Sequence, residues 1–173
     1  MVRAMHETLI LILGGARSGK SRHAEALIHA LPPPWTYIAT AEAFDAEMTS
    51  RIAEHRARRP PGWVTHDAPH ALPEAIAQAP PDAPLLVDCL TLWLSNLMLA
   101  EADLDAAIHA LSASLAARRV ATVLVSNEVG SGIVPATALG RRFRDAQGRL
   151  NQRMAAEAGR VCLIVAGLEM RLK

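Results

Sequence analysis

Short unbroken apolar runs recur along this chain, separated by longer stretches in which apolar residues return every three or four positions. Thr8 to Leu13 (Thr-Leu-Ile-Leu-Ile-Leu), Leu85 to Asp88, Ala121 to Ser126 and Val161 to Ala166 are of the first kind. They have the length and composition of strands buried on both faces. Trp35 to Ala39, β-prone residues after a proline breaker, completes a set of five parallel strands. Helical periodicity covers Arg22 to Leu31, about Phe44 to Ala57, His70 to Gln78, Thr91 to Ala100, Leu104 to Arg118 and about Ala138 to Ala158. Pro32-Pro33-Pro34, Pro60-Pro61-Gly62 and Pro80-Pro81 punctuate these segments, and Gly159 is placed to cap the last helix. Val64 to Asp67 reads as a short extended piece, and Leu168 to Leu172 as a candidate antiparallel edge strand. Strands alternating with helices predict an α/β fold with a mainly parallel sheet, right-handed crossovers and helices on both faces.

The first strand-to-helix junction carries the most chemistry. Gly14-Gly15-Ala16-Arg17-Ser18-Gly19-Lys20-Ser21 fits G-x-x-x-x-G-K-[ST], and it falls where a buried strand gives way to a helix, the context a P-loop requires. Gly14 and Gly19 permit backbone conformations and approaches that a Cβ would block. The loop N–H groups can then converge on phosphate oxygens at the positive end of the helix. Lys20 would reach the outer phosphates, and the Ser21 hydroxyl would hold Mg²⁺. The motif in this setting predicts a nucleoside-triphosphate-binding domain.

Composition narrows the class further. With 173 residues the chain suits one well-cored domain. Its 51% hydrophobic and 20% charged residues read as globular. A net charge of +1 gives no broad basic surface for nucleic acid, and no apolar run reaches the length of a membrane span. Because the N-terminal apolar run leads directly into the P-loop, its cleavage as a signal would destroy the motif, and a cytoplasmic protein is expected. Cys89 and Cys162 lie in or beside predicted buried strands and read as inert thiols.

Three further groups are candidates, each with an ordinary alternative. Asp88 follows three apolar residues at a strand end, where a carboxylate can hold Mg²⁺ through water, although many strands end in Asp. Glu128, after Ser126-Asn127 at the next strand end, is either a second acid at that edge or a solvated loop residue. His55 lies on a polar helix face among Arg51, Arg56, Arg58 and Arg59. Such a cluster suits a triphosphate, and it is also what a solvated basic face looks like.

The segment Gly-Gly-Ala-Arg-Ser-Gly-Lys-Ser-Arg-His-Ala-Glu opens a longer pattern. It continues through Tyr37-Ile38-Ala39-Thr40-Ala41, Asp45-Ala46-Glu47-Met48, Arg51-Ile52, His55-Arg56, Arg59-Pro60 and Trp63. Val87-Asp88-Cys89-Leu90-Thr91, the loop Ser126 to Pro135, Phe143-Arg144-Asp145, Asn151-Gln152 and Val165-Ala166-Gly167-Leu168 complete it. This pattern, spanning nearly the whole chain, resembles the bifunctional adenosylcobinamide kinase/adenosylcobinamide-phosphate guanylyltransferases of cobalamin biosynthesis.

The resemblance implies two reactions. A nucleoside triphosphate, ATP or GTP, phosphorylates the aminopropanol hydroxyl of adenosylcobinamide. GTP then gives GMP to that phosphate through a guanylyl-histidine, for which the matching position is His55. It implies nucleotide contacts at Gly14 to Ser21, Ala39, Thr40, Ala41, Arg56, Ala57, Arg58, Arg59, Asp67 and Asp88, and a homotrimer. The chain departs from the pattern at Asp67, where Glu is expected, and at Asp88, where some members carry Glu. Glu54 precedes His55 where some members have a second His. Glu169 replaces a proline, a change expected to affect only how the tail folds.

A plain small-molecule P-loop kinase would form no covalent nucleotide and would tolerate loss of His55. A nucleotide-dependent switch would hydrolyse slowly and bind a protein rather than a corrinoid.

Overall fold

The computed structural model describes residues 8–42, 50, 53, 57 and 59–173. Their strands are β1 (Leu9–Gly14), β2 (Trp35–Ala39), β3 (Trp63–Asp67), β4 (Leu85–Asp88), β5 (Thr122–Asn127), β6 (Arg160–Val165) and β7 (Leu168–Arg171). The helices are α1 (Lys20–His29), α2 (Leu72–Gln78), α3 (Leu90–Leu99), α4 (Leu104–Ala116) and α5 (Ala138–Glu157). All seven strands form one sheet in the order β3-β2-β4-β5-β1-β6-β7. Every pairing is parallel except that of β6 with β7. The antiparallel edge strand is therefore present.

Within each apolar run, alternation decides which side chain meets which layer. Leu11, Leu13, Ile38, Leu85, Val87 and Leu124 belong to the core shared with α2, α3, α4 and α5. Ile12, Tyr37, Leu86, Val123, Val125, Cys162 and Ile164 point the other way and pack with Ala24 and Ile28 of α1. Burial on both faces is why these strands read as continuous rather than alternating runs. Trp93 is wholly buried and donates its indole N–H to the His70 carbonyl at 2.9 Å, which joins α3 to the segment before α2. Two helix starts are capped as their sequence suggests: Asp103 accepts from Ala106 N–H, and Thr137 from Gly140 N–H, both at 3.0 Å.

Several expectations change. Val64 to Asp67 is more than an extended piece, since with Trp63 it forms β3, paired along its length with β2. Val64 to Asp67 are all exposed at the sheet edge, so the apolar signal of a buried strand is missing there. Gly159 does not cap α5 in a left-handed turn. Ala158 is already extended, and Gly159 N–H donates to the Leu9 carbonyl at 3.0 Å, so the chain passes directly into β6. Helix α1 starts at Lys20, two residues earlier than the pattern suggests, and α4 stops at Ala116. Most of the helix expected over 44–57 lies outside the described residues; Ser50, Ala53 and Ala57 are helical.

Candidate nucleotide site

The carboxyl ends of the parallel strands define one edge, and the P-loop leaves it from β1. Arg17 at φ 56° and Gly19 at φ 96° bring the loop round, and α1 begins at Lys20 with no side-chain cap on its first turn. Its first N–H groups and helix dipole therefore face the loop's interior. A Cβ on Gly14 would lie 2.8 Å from the Ile164 carbonyl oxygen and closer still to Ser18 Oγ, so the turn is shaped around a missing side chain. Ser18 Oγ is buried with no hydrogen-bond partner. Lys20 Nζ donates to the Gly15 carbonyl at 3.0 Å, laying the ammonium across the loop. An orphaned hydroxyl, uncapped N–H groups and a lysine around one cradle fit a phosphate chain.

Asp88 ends β4, and β5 lies between β4 and the P-loop strand. In register, Gly14 is opposite Asn127 and Asp88 is opposite Val125. Asp88 therefore stands two strands over and two positions back from Gly14, roughly 12 Å at the usual strand spacing and rise. A phosphate chain with its cation can fill such a gap. Tyr37 donates its phenol to Asp88 Oδ2 at 2.9 Å. A hydrogen bond to a carboxylate contributes about 1.5–3 kcal/mol and fixes the plane of the group. Burial first, then the Asp88 charge, raises the Tyr37 phenol far above its ordinary value, so it remains a donor. The Ser21 hydroxyl and the Asp88 carboxylate are hard oxygen donors, the set that suits Mg²⁺ held partly by phosphates. Among the described residues no cluster of three or more His, Cys, Asp or Glu side chains offers an all-protein cage.

Thr40 secures the neighbouring turn. Wholly buried, its hydroxyl donates to the Cys89 carbonyl at 2.7 Å and accepts from Cys89 N–H at 2.9 Å, while Asn96 donates to its carbonyl at 2.9 Å. The Cys89 thiol is pushed up to about 11 by burial and then by Asp88, with Lys20 pulling the other way. Both cysteines are buried and free, in line with inert thiols. Ala39 is opposite both Asp67 and Asp88, so these residues form one row across β3, β2 and β4. Asp67 is exposed at the end of that row.

Behind β5, Gln147 donates to Ser126 Oγ at 2.9 Å, Asn151 to the Asn127 carbonyl at 3.0 Å, and Asn127 N–H to Thr91 Oγ1 at 2.7 Å. This network fixes the strand end next to Gly14. Glu128 N–H bonds the Gly14 carbonyl at 3.1 Å, and its carboxylate accepts from Gly130 and Ser131 N–H. Burial raises the Glu128 carboxyl, but the bonds from Ser131 and Gly130 outweigh it and the net direction is down. Glu128 thus stands at the same strand edge beside Gly14, with its carboxylate turned onto the N–H groups of its own loop.

The described site residues Gly14 to Ser21, Ala39 to Ala41, Asp67 and Asp88 meet at one edge. Arg59, half-buried, has its guanidinium carbon 3.7 Å from the Tyr37 ring centroid and Nη1 donating to Thr65 Oγ1 at 3.1 Å. Ala57 is exposed. His55, Arg56 and Arg58 lie outside the described residues. Tyr37 touches two of the candidates, but its partners are 51 and 22 positions away, so the sequence shows it only as part of the strand and pattern running into Ala39 and assigns it no role. A cavity of about 310 Å³ between α4, α5 and the starts of β1 and β5 is at the opposite edge, bordered by Thr8, His109, Arg118 and Arg153.

Strand order, loop and crossovers make this a P-loop ATPase-like fold. The protein shares it with an ATPase from the type III secretion system of pathogenic bacteria (13% identity, TM-score 0.58, 98% of this chain and 60% of that one). A Pyrococcus horikoshii protein is also similar in structure (8% identity, TM-score 0.54, 96% of this chain and 86% of that one). The particular family follows from sequence: the profile of the cobinamide kinase / cobinamide phosphate guanyltransferase family matches residues 10–172, and the chain belongs to that family. The bifunctional adenosylcobalamin biosynthesis protein CobP of Pseudomonas aeruginosa is 51% identical over 166 residues, covering 94% of this chain and 96% of that one. CobU of Salmonella typhimurium, described by the same words, is 42% identical over 181 residues, covering 95% and 99%.

Proposed function

We propose that this enzyme phosphorylates adenosylcobinamide with a nucleoside triphosphate, then transfers GMP from GTP to adenosylcobinamide phosphate through a guanylyl-histidine at His55, giving adenosylcobinamide-GDP. The observation that carries the reading is the P-loop cradle facing Asp88 across one strand, in a chain matched over nearly its whole length by a kinase and guanyltransferase family.

In the first reaction the loop N–H groups and Lys20 hold the β- and γ-phosphates, and the substrate hydroxyl attacks the γ-phosphorus. Ser21 and Asp88 would hold Mg²⁺, which when bound neutralises phosphate charge. In the second, a neutral imidazole nitrogen of His55 attacks the α-phosphorus of GTP. A P–N bond forms, the bond to the bridging oxygen breaks, and pyrophosphate leaves with the electron pair. A phosphate oxygen of the corrinoid substrate then attacks the same phosphorus and releases imidazole. Arg56, Ala57, Arg58 and Arg59, with Ala39 to Ala41 and Asp67, contact the nucleotide. The working form on this reading is a cytoplasmic homotrimer of single P-loop domains.

The test is incubation with α-labelled or γ-labelled GTP, followed by denaturation and counting of protein-bound label, with His55→Ala and Lys20→Ala alongside. Acid-labile α-label in the wild type, absent from His55→Ala, is expected. An active wild type that never takes up α-label would leave a kinase alone.

A further inference from the structure

Tyr37 is the one tyrosine of the chain, and it stands between two groups that handle phosphate in the proposed reactions. Its ring is buried on the α1 side of the sheet. At one end the hydroxyl donates to Asp88 Oδ2 at 2.9 Å. Against the ring face lies Arg59, its guanidinium carbon 3.7 Å from the centroid. Trp63 closes the ring's edge in a T-shaped contact at 5.7 Å.

We propose that Tyr37 is a positioning residue that holds the Asp88 carboxylate through its hydroxyl and the Arg59 guanidinium through its ring, fixing the two in one relation. The inference rests on the reading above, in which Asp88 serves Mg²⁺ and Arg59 the nucleotide. A carboxylate tied at Oδ2 has its plane set and presents Oδ1 as the free ligand oxygen. An arginine stacked on a buried aromatic gives up rotamer freedom before the ligand arrives, so less is lost when it engages a phosphate. A change at one partner is transmitted to the other through a rigid ring with two torsions.

A tyrosine that merely satisfies its hydroxyl in the core would behave differently. Its loss would lower stability and weaken every ligand alike. The two halves of the side chain separate these cases. Tyr37→Phe keeps the seat for Arg59 and removes only the bond to Asp88, whereas Tyr37→Leu removes both.

The measurement is binding of a fluorescent GTP analogue, titrated with and without Mg²⁺, for wild type, Tyr37→Phe, Tyr37→Leu, Asp88→Asn and Tyr37→Phe/Asp88→Asn. Tyr37→Phe is expected to raise the Mg²⁺ concentration for half-saturation about tenfold, with metal-free affinity unchanged. Tyr37→Leu, if it folds, also weakens metal-free binding. In the Asp88→Asn background, Tyr37→Phe adds nothing, since coupled residues are not additive. Incorporated 3-fluorotyrosine supplies a second readout, because the single ¹⁹F resonance must shift on Mg²⁺-nucleotide binding in the wild type and not in Asp88→Asn. An unchanged Mg²⁺ half-saturation in Tyr37→Phe, or additive effects in the double variant, overturns the inference alone. A wild type whose GTP binding ignores Mg²⁺ overturns the reading beneath it as well.

Discussion

The backbone N–H of Gly167 donates to the carbonyl of Ser18 across 2.8 Å, joining the turn between β6 and β7 to the P-loop. Ala166 at φ 52° and Gly167 at φ 80° make that turn, and a Cβ on Gly19 would sit 3.3 Å from Gly167 Cα. Glu169, two residues on, lies 3.0 Å from His23 of α1 and pairs with Arg160. The C-terminal hairpin is thus a wall of the phosphate cradle. Glu169, expected to matter only for the tail, reaches the P-loop helix instead.

Two substitutions separate the turn's conformation from its hydrogen bond. Gly167→Ala keeps the N–H and meets nothing within 4 Å. Only the left-handed backbone is strained, at a cost of about 1 kcal/mol. Gly167→Pro cannot adopt a positive φ and has no N–H to give Ser18. Urea unfolding should show the small loss for Ala, with GTP affinity within about twofold of wild type. Proline should weaken GTP binding at least about tenfold. Wild-type affinity in Gly167→Pro would mean that the hairpin does not hold the loop.

What the sequence reveals of this fold follows from how local each signal is. The P-loop is eight consecutive residues with a strand before and a helix after, so its geometry is written in one place. Buried strands announce themselves as apolar runs, which is why β1, β4, β5 and β6 are legible and the exposed β3 is not. Long-range placement leaves no such mark. Nothing near Asp88 says that β5 will intervene before the P-loop, or that Tyr37 will arrive from 51 residues upstream. Glu169 looked peripheral because the antiparallel return of β7 is what carries it to His23.

The Glu169 cluster carries a pH dependence whose sign is set. A hydrogen bond from the Cys162 thiol, then one from the Arg160 guanidinium, lowers its carboxyl below the usual 4.5. The folded state therefore binds this proton less readily than the unfolded chain does. The stability it contributes is complete above about 4.5 and is lost as pH falls through the lowered folded value. Melting temperatures of wild type and Glu169→Gln should differ at pH 7 and converge in acid. A difference that widens below pH ~4 would contradict this assignment.

Thr40 tests how far the Asp88 turn depends on one hydroxyl. Thr40→Val is nearly isosteric but leaves the buried Cys89 N–H without its partner at 2.9 Å, while the Cys89 carbonyl loses the hydroxyl at 2.7 Å and keeps the Trp93 N–H at 3.3 Å. An unsatisfied buried N–H costs about 1–3 kcal/mol and the second bond lost about 1 kcal/mol more, so a loss of roughly 2–4 kcal/mol is expected in guanidinium unfolding. Thr40→Ser keeps the hydroxyl and should lose less than about 1.5 kcal/mol, the value of the missing methyl. Equal losses in the two variants would assign the effect to packing rather than to the hydrogen bonds.

Gly14 and Gly15 are adjacent, and the structure gives them opposite tolerances. A Cβ at Gly14 meets the Ile164 carbonyl at 2.8 Å, and Ile164 is held opposite Gly14 in the β1–β6 ladder, so neither backbone can retreat without breaking sheet pairing. Overpacking of that kind costs about 1–3 kcal/mol, and here it also displaces Ser18, whose Oγ lies against the same position. A Cβ at Gly15 meets nothing within 4 Å. Gly14→Ala should therefore lose stability and GTP binding together, while Gly15→Ala stays within about 0.5 kcal/mol of wild type. If Gly14→Ala keeps both, the cradle has more give than its contacts indicate, and the requirement for glycine there would be one of loop motion rather than of space.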